Sequence, residues 1–365
     1  MSETVRIAVR GTNWLGDSVI AIPAVRALRA LFPGSPITML APANLACLWE
    51  LEGSADRVVP VPRPAGLRGA RTLIAALRRD RYDLGVLLPN SFSSALLFFL
   101  GGVRRRVGYA TDGRGLLLTS PVPVPRGKRL ADPRNHGGHA RRGEAGEGAA
   151  SAFEGHQVHR YLALVRTLGA VEADPRPSLG LPASLLEQAD ALLRARGVAP
   201  GRTVVGLNAG ATYGEAKCWP QERFASLARL LRDRLGAAIL AVGGAAERER
   251  AGAVCAPLGP DGINVAGETT VAQLAALAAR CAVFVSNDTG PMHLAAAVGT
   301  PVVAVVGPTD PVATGPLSNR ATIVRRETSC APCLKRRCPA DHRCMTAVAA
   351  EEVFAAVRDL LPPRG

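Results

Sequence analysis

The sequence predicts an α/β protein made of two Rossmann-like domains, each a parallel sheet covered by helices, with the two sheets facing a cleft. Three observations predict it. Short apolar runs alternate with stretches of helical periodicity along most of the 365 residues. The alternation pauses and then restarts near residue 200. Apolar residues make up 48% of a chain too long for one ordinary domain, enough for two cores. Runs without a polar alternation belong to strands buried on both faces, the condition of a parallel sheet between helices.

The elements follow in order. In the first half, apolar runs at 5–9, 36–40 and 84–88 read as strands, with helical patterns at about 18–31 and 66–79. Residues 126–155, rich in Gly, Arg, Glu, Ala and His, read as a flexible surface insertion. Asp174, Pro175, Pro177 and Pro182 break the pattern between 171 and 183. That break separates an N-terminal domain over 1–175 from a C-terminal domain over 183–345. In the second half, 203–207, 237–242, 282–285 and 301–306 read as buried strands, and about 222–235, 246–256 and 271–280 as helices. A last amphipathic helix is expected over 349–361.

Ligands of such sheets gather at the carboxyl ends of the strands. The first strand-to-helix turn carries Asn13-Trp14-Leu15-Gly16-Asp17-Ser18. Asp17 there is either a helix N-cap or a carboxylate able to take a proton from a hydroxyl. In the second half, Asp288-Thr289-Gly290-Pro291-Met292-His293 follows the apolar run 281–285 and leads into a helix read over 294–298. Pro291 has a fixed φ and no N–H, so it suits a first helical turn. Gly290 lets the backbone approach a ligand closely. A helix start with open N–H groups and a positive dipole end is a site for an anion, phosphate above all. The alternative is an ordinary Asp/Thr cap. The Gly-rich loop 208–220 carries Thr212 and Lys217, a second way to hold phosphate through amides and a point charge, unless Lys217 is merely solvated. Neither a G-x-G-x-x-G fingerprint nor a Walker A sequence is present at these turns.

The formal net charge is +14, and it is uneven. Residues 1–180 hold 24 Lys/Arg against 14 Asp/Glu, a balance of +10; residues 181–365 hold 20 against 16, a balance of +4. A basic half suits an anionic partner, whether nucleic acid, a phospholipid surface or an acidic glycan, and equally suits an Arg-rich solvated surface. Aromatics at 4% argue against a nucleic-acid partner read by base stacking. No apolar segment precedes the strand at 5–9, and the apolar window 84–100 is broken by Pro89, Asn90 and several serines. Neither reads as a secretory signal or a membrane span, which points to the cytoplasm. Four of the eight cysteines stand alone and read as small buried residues. Cys330, Cys333, Cys338 and Cys344 form C-x₂-C-x₄-C-x₅-C, clustering that suggests metal more than disulfides in cytosol. The spacing, with His342 beside it, does not match a zinc ribbon, and no metal ligand is assigned.

Several motifs occur in order at wide separation: Asn13-Trp14-Leu15-Gly16-Asp17, Lys217-Cys218-Trp219-Pro220, and Ser286-Asn287-Asp288-Thr289-Gly290-Pro291-Met292-His293. Gly299-Thr300-Pro301-Val302-Val303 and Gly307-Pro308-Thr309-Asp310-Pro311 follow. Together they resemble glycosyltransferase family nine, the lipopolysaccharide heptosyltransferases. The tail from Cys330 to Met345 is most similar to the heptosyltransferase II branch. The resemblance spans nearly the whole chain; it departs at the 126–155 insertion and at Cys218, where the family often has Arg.

The resemblance implies a GT-B fold and inverting transfer of heptose from ADP-heptose to a heptose of the lipopolysaccharide inner core, with Asp17 as general base. It implies a donor site of Thr212, Lys217, Glu247, Asp288, Thr289, Gly290 and His293, with Glu247 on the ribose and Asp288 orienting the sugar. Asn13, Asn90, Ser91, Arg106, Tyr109 and Arg114 are the acceptor candidates, with Arg104 and Arg105 in the same cluster. The acceptor is an anionic glycolipid, which implies peripheral contact with the inner face of the inner membrane. No metal is required; Mg²⁺ on the diphosphate is compatible. Alternatives are a heptosyltransferase for a protein or other glycan acceptor, and a nucleotide-sugar epimerase of the same fold, which needs further catalytic carboxylates.

Overall fold

The computed structural model describes residues 4–61, 66–124, 155–171 and 173–361. The described residues fall into two compact units, one drawn from the ranges 1–128 and 157–179 and the other from 129–156 and 180–365. The expected insertion over 126–155 lies outside the described residues apart from Gly155.

Each unit holds a six-stranded parallel sheet. In the first, β1 (Ile7–Arg10), β2 (Ile37–Pro42), β3 (Arg57–Val61), β4 (Leu84–Leu87), β5 (Arg105–Tyr109) and β6 (Ser120–Val122) lie in the order β3-β2-β1-β4-β5-β6. In the second, β7 (Val204–Asn208), β8 (Ala238–Ala241), β9 (Gly262–Asn264), β10 (Val283–Asn287), β11 (Val302–Val305) and β12 (Ala321–Val324) lie in the order β12-β11-β10-β7-β8-β9. The two sheets share one topology. The chain starts in the middle, builds outward to one edge, then crosses back and builds to the other. The reversal falls between β1 and β4, where Ile7 pairs with Leu84, and between β7 and β10, where Val205 pairs with Val283. Loops leaving two such strands diverge to opposite faces and leave a crevice at the carboxyl edge.

The central strands are the ones that the apolar runs revealed, because they are buried on both faces. The second unit packs Trp219 edge-on against Phe224, with ring centroids 4.9 Å apart, under Leu227, Val205 and Val283. The reading overlooked β3, β5, β6, β9 and β12. Four of these are sheet edges, and each is only partly buried, so none needs a continuous apolar run. β5 begins with Arg105-Arg106, which disguised it as a charged loop. Among the described residues no helix is long and apolar enough to cross a membrane.

Candidate functional site

In the first unit, the turn after β1 is shaped from beneath by Arg10. Its buried guanidinium donates to the carbonyls of Gly11 (2.5 Å) and Leu40 (3.1 Å) and to Asn13 Oδ1 (2.9 Å). Burial pushes the Arg10 pKa down to about 10, so it remains a cation at neutral pH. A 2.8 Å bond between the Thr12 and Ser18 hydroxyls closes the turn. The helix Leu15–Leu31 then starts with Trp14, not Asp17, at its N-cap. Asp17 lies in the first turn, where the helix dipole favours an anion, and is not the N-cap residue. Gln157 Nε2 donates to Asp17 Oδ1 at 2.9 Å and to the Tyr161 hydroxyl at 3.0 Å. Burial first, and then the Asp17 charge, hold the Tyr161 phenol well above its usual pKa. A neutral amide thus fixes the carboxylate without supplying a counter-charge of its own.

Asn90 and Ser91 follow β4, at the same carboxyl edge as the Asp17 turn. Ser91 caps the helix Phe92–Leu100, accepting from the Ser94 amide. The other acceptor candidates serve mainly as supports of this edge. Arg114 is 0% exposed and donates to the carbonyls of Tyr109 (2.7 Å), Pro89 (2.5 Å) and Ser91 (3.4 Å) and to the side chains of Ser94 and Asn90. The Tyr109 hydroxyl donates to the Arg160 carbonyl at 2.8 Å. Arg106 donates to the carbonyls of Leu117 (2.6 Å) and Val103 (2.5 Å). Asn13, Asn90 and Ser91 are therefore the candidates that share the crevice end with Asp17.

In the second unit, β10 ends at Asn287 and the helix Gly290–Ala297 begins three residues later, four residues earlier than the apolar pattern indicated. Thr289 is the N-cap, extended at φ −151°, and its side chain makes no capping bond. Pro291 sits in the first turn. Thr289 thus holds the cap position without closing the helix start with its side chain, and Asp288 is not the cap. Buried Asp288 accepts from Lys217 Nζ (3.0 Å), the Thr309 hydroxyl (2.5 Å) and the Thr314 hydroxyl (3.2 Å). Lys217 also reaches the Asp288 carbonyl at 3.1 Å and lies 5.3 Å above the Tyr213 ring. Burial pushes the Asp288 pKa up, but the Lys217 charge, the Thr309 bond and His293 together hold it below the usual carboxylate value.

Asn287 stitches the neighbouring loop to this turn. Its amide donates to the carbonyls of Ala209 (3.0 Å) and Gly210 (3.1 Å), and its oxygen accepts from the Trp219 amide (3.0 Å). Glu247, after β8, accepts from the Gly244 amide at 2.7 Å and lies over Gly210, where a Cβ would fall 1.8 Å from Oε1. Gly210 is needed for that approach. Thr212 is exposed on the same loop. All seven expected donor residues thus line the carboxyl edge formed by β7, β8 and β10. Gln157, Asn287, Thr309 and Thr314 are supports that the sequence reading gave no role.

His293 is buried, and burial pushes its pKa down to about 4 against the pull of Asp288, so the ring is neutral at pH 7. The folded value lies below the ordinary 6.5, so the unfolded chain takes up the proton first as pH falls. Stability present above pH 6.5 is then lost toward pH 4, at about 1.4 kcal/mol per unit. Thermal melts at pH 7 and pH 5 should show a drop in Tm that is smaller in His293→Asn. An equal drop in both proteins would refute the assignment.

Cys218, Cys255 and Cys281 are buried as expected, while Cys47 is half-buried. Burial, then the neighbouring Cys330, Cys333 and Cys338, push the Cys344 thiol up to about 11. Among the described residues no group of three or more His, Cys, Asp or Glu is arranged to hold a metal ion.

The model of glycosyltransferase family 9 (heptosyltransferase) matches residues 70–131 and 148–343. Lipopolysaccharide heptosyltransferase 2 of Escherichia coli K12 is 30% identical over 98% of this chain and 96% of its own. The Salmonella typhimurium protein of the same name is 31% identical over 88% of each chain. The structure titled E. coli ADP-heptose lps heptosyltransferase II superposes with a TM-score of 0.79 at 27% identity, covering 97% of this chain and 98% of that one.

Proposed function

The chain belongs to glycosyltransferase family 9, the heptosyltransferases, and on that premise we propose that it transfers heptose from ADP-heptose to a heptose hydroxyl of the lipopolysaccharide inner core, inverting the anomeric centre. The fold is GT-B, as in its structural neighbours. One observation carries the finer reading: each sheet has chemistry at its reversal point, and the two chemistries are complementary. The first holds a positioned carboxylate, Asp17; the second holds an open helix terminus with Lys217.

Asp17 takes the proton of the acceptor hydroxyl as that oxygen attacks the anomeric carbon. The bond from that carbon to the β-phosphate oxygen breaks, and ADP leaves with the electron pair. A single displacement inverts the centre and needs no protein nucleophile. The charge that grows on the diphosphate is met by the amides of Thr289 and Gly290 and by Lys217. His293, neutral beside them, adds a hydrogen-bonding ring without a full charge. Asp288, braced by Thr309 and Thr314, holds Lys217 in place and orients the donor sugar. Glu247 accepts the ribose hydroxyls. Mg²⁺ on the diphosphate is compatible with this arrangement, which assigns it no protein ligand.

Incubation with ADP-heptose, with and without a truncated core acceptor, tests the reading. ADP release that depends on the acceptor, with a product of inverted configuration by NMR, is the expected result. Conversion of the nucleotide sugar without acceptor would favour an epimerase and overturn the proposal. Acceptor affinity should also fall more steeply with salt than donor affinity. Exposed charges are screened over about 8 Å at physiological ionic strength, whereas backbone amides supply much of the donor site. Equal salt slopes would leave the +10 balance of residues 1–180 as solvated surface.

A further inference from the structure

The helix Phe92–Leu100 is apolar on two sides. Its inner side, with Ser94, Ala95 and Phe98, is buried in the first unit. Its outer side carries Phe92 (46% exposed), Leu96, Phe99 (47% exposed) and Leu100, at i, i+4, i+7 and i+8. A helix apolar all round normally lies inside a core or at an interface. The neighbouring turn Arg114–Leu117 adds Leu116, 95% exposed. Arg106 joins the two, since its guanidinium lies 5.3 Å over the Phe99 ring while its Nε donates to the Leu117 carbonyl. The exposed apolar side chains of the helix therefore form one stripe, and Leu116 stands on the turn that Arg106 ties beside it.

The patch has a basic border. Where the helix ends, Arg78, Arg81, Tyr82, Gly101, Gly102 and Arg104 line a cavity of about 250 Å³. Arg78 is tied to the patch by a 2.8 Å bond to the Leu100 carbonyl. Asp80 and Asp83 are already paired, with Arg57 and Arg104. The stripe starts one residue after Ser91, at the crevice end that carries Asp17.

We propose that this face of the first unit docks on the anionic lipid surface in which the acceptor is anchored, with Phe92, Phe99, Leu100 and Leu116 entering the interface and Arg78 and Arg81 engaging headgroup phosphates. The identity of the acceptor rests on the reading above; the surface does not. Apolar side chains supply insertion and arginines supply electrostatic attraction, and two such signals together hold a peripheral protein on a bilayer. A second copy of the chain is a poorer occupant. An isologous contact uses the same face of both copies, and the carboxylates beside these arginines, Asp80 and Asp83, are already ion-paired, so it brings the arginines no new counter-charge.

The test is flotation of the full chain with phosphatidylcholine vesicles, either pure or containing one part in three phosphatidylglycerol. Binding should require the anionic lipid and weaken in high salt. The triple variant Phe99→Ser/Leu100→Ser/Leu116→Ser should lose at least about tenfold in vesicle affinity. Arg78→Ser/Arg81→Asn should lose about fivefold per arginine removed. Asn is chosen at 81 because that residue has φ +49°. Both variants should keep wild-type turnover on a deacylated core saccharide, which also shows that they fold. Absence of anionic-vesicle binding, or binding unaffected by either variant, would overturn the docking surface even if transfer to the saccharide is normal. Failure of transfer with intact vesicle binding would instead overturn the function. Light scattering showing a wild-type dimer that the triple variant dissociates would assign the patch to a second copy and overturn the proposal.

Discussion

Asp17→Asn should lower turnover by about 10²-fold or more while leaving ADP affinity unchanged. Asparagine keeps the shape of the side chain and an oxygen that can still accept from Gln157 Nε2. The turn is held by Arg10, Thr12 and Ser18, none of which depends on the Asp17 charge, so the fold should survive the change. What is lost is basicity. An amide cannot take the hydroxyl proton, and the acceptor oxygen must then attack as a neutral alcohol. Donor binding should be unaffected because the residues proposed to hold the donor belong to the other unit. Steady-state ADP release gives turnover, and calorimetric titration with ADP gives affinity. Near-normal turnover would remove Asp17 from the mechanism. Loss of ADP affinity would place it at the donor instead.

Much of this was legible in the sequence for a physical reason. Central strands of a parallel sheet are buried on both faces, so β1, β4, β7, β10 and β11 appear as unbroken apolar runs. The turns that follow β1 and β10 stand out because polar residues, Gly and Pro appear abruptly between such a run and a helix. Illegible were the contacts that long-range folding alone creates. Gln157 lies 140 residues from Asp17 in sequence, and nothing around either residue signals the bond. Asp288 and Thr309 were each visible in a motif, but the bond between them was not. Arg114 and Tyr109 show the opposite error. A basic, aromatic cluster on a basic half resembles a binding surface, yet these side chains turn inward to backbone carbonyls. Charge in a sequence reports composition; where its hydrogen bonds go is settled only by the fold.

Lys217→Ala should weaken ADP and ADP-heptose binding by roughly 10- to 100-fold, as expected for loss of a charged hydrogen bond to phosphate. It should also destabilise the protein, for a separate reason. Lys217 is the cation paired with buried Asp288, and removing one member of a buried pair costs about 3–5 kcal/mol because the other charge is left uncompensated. The Thr309 and Thr314 hydroxyls remain on the carboxylate and reduce that cost. The two effects separate in the double variant Lys217→Ala/Asp288→Asn. A neutral amide at 288 no longer needs the cation, so thermal stability should recover most of its loss. ADP affinity should stay low, since no cation has been returned to the phosphate. Recovery of both together would mean that Lys217 acts on the donor only by keeping the turn folded. A defect confined to the acceptor would show that Lys217 does not touch the diphosphate at all.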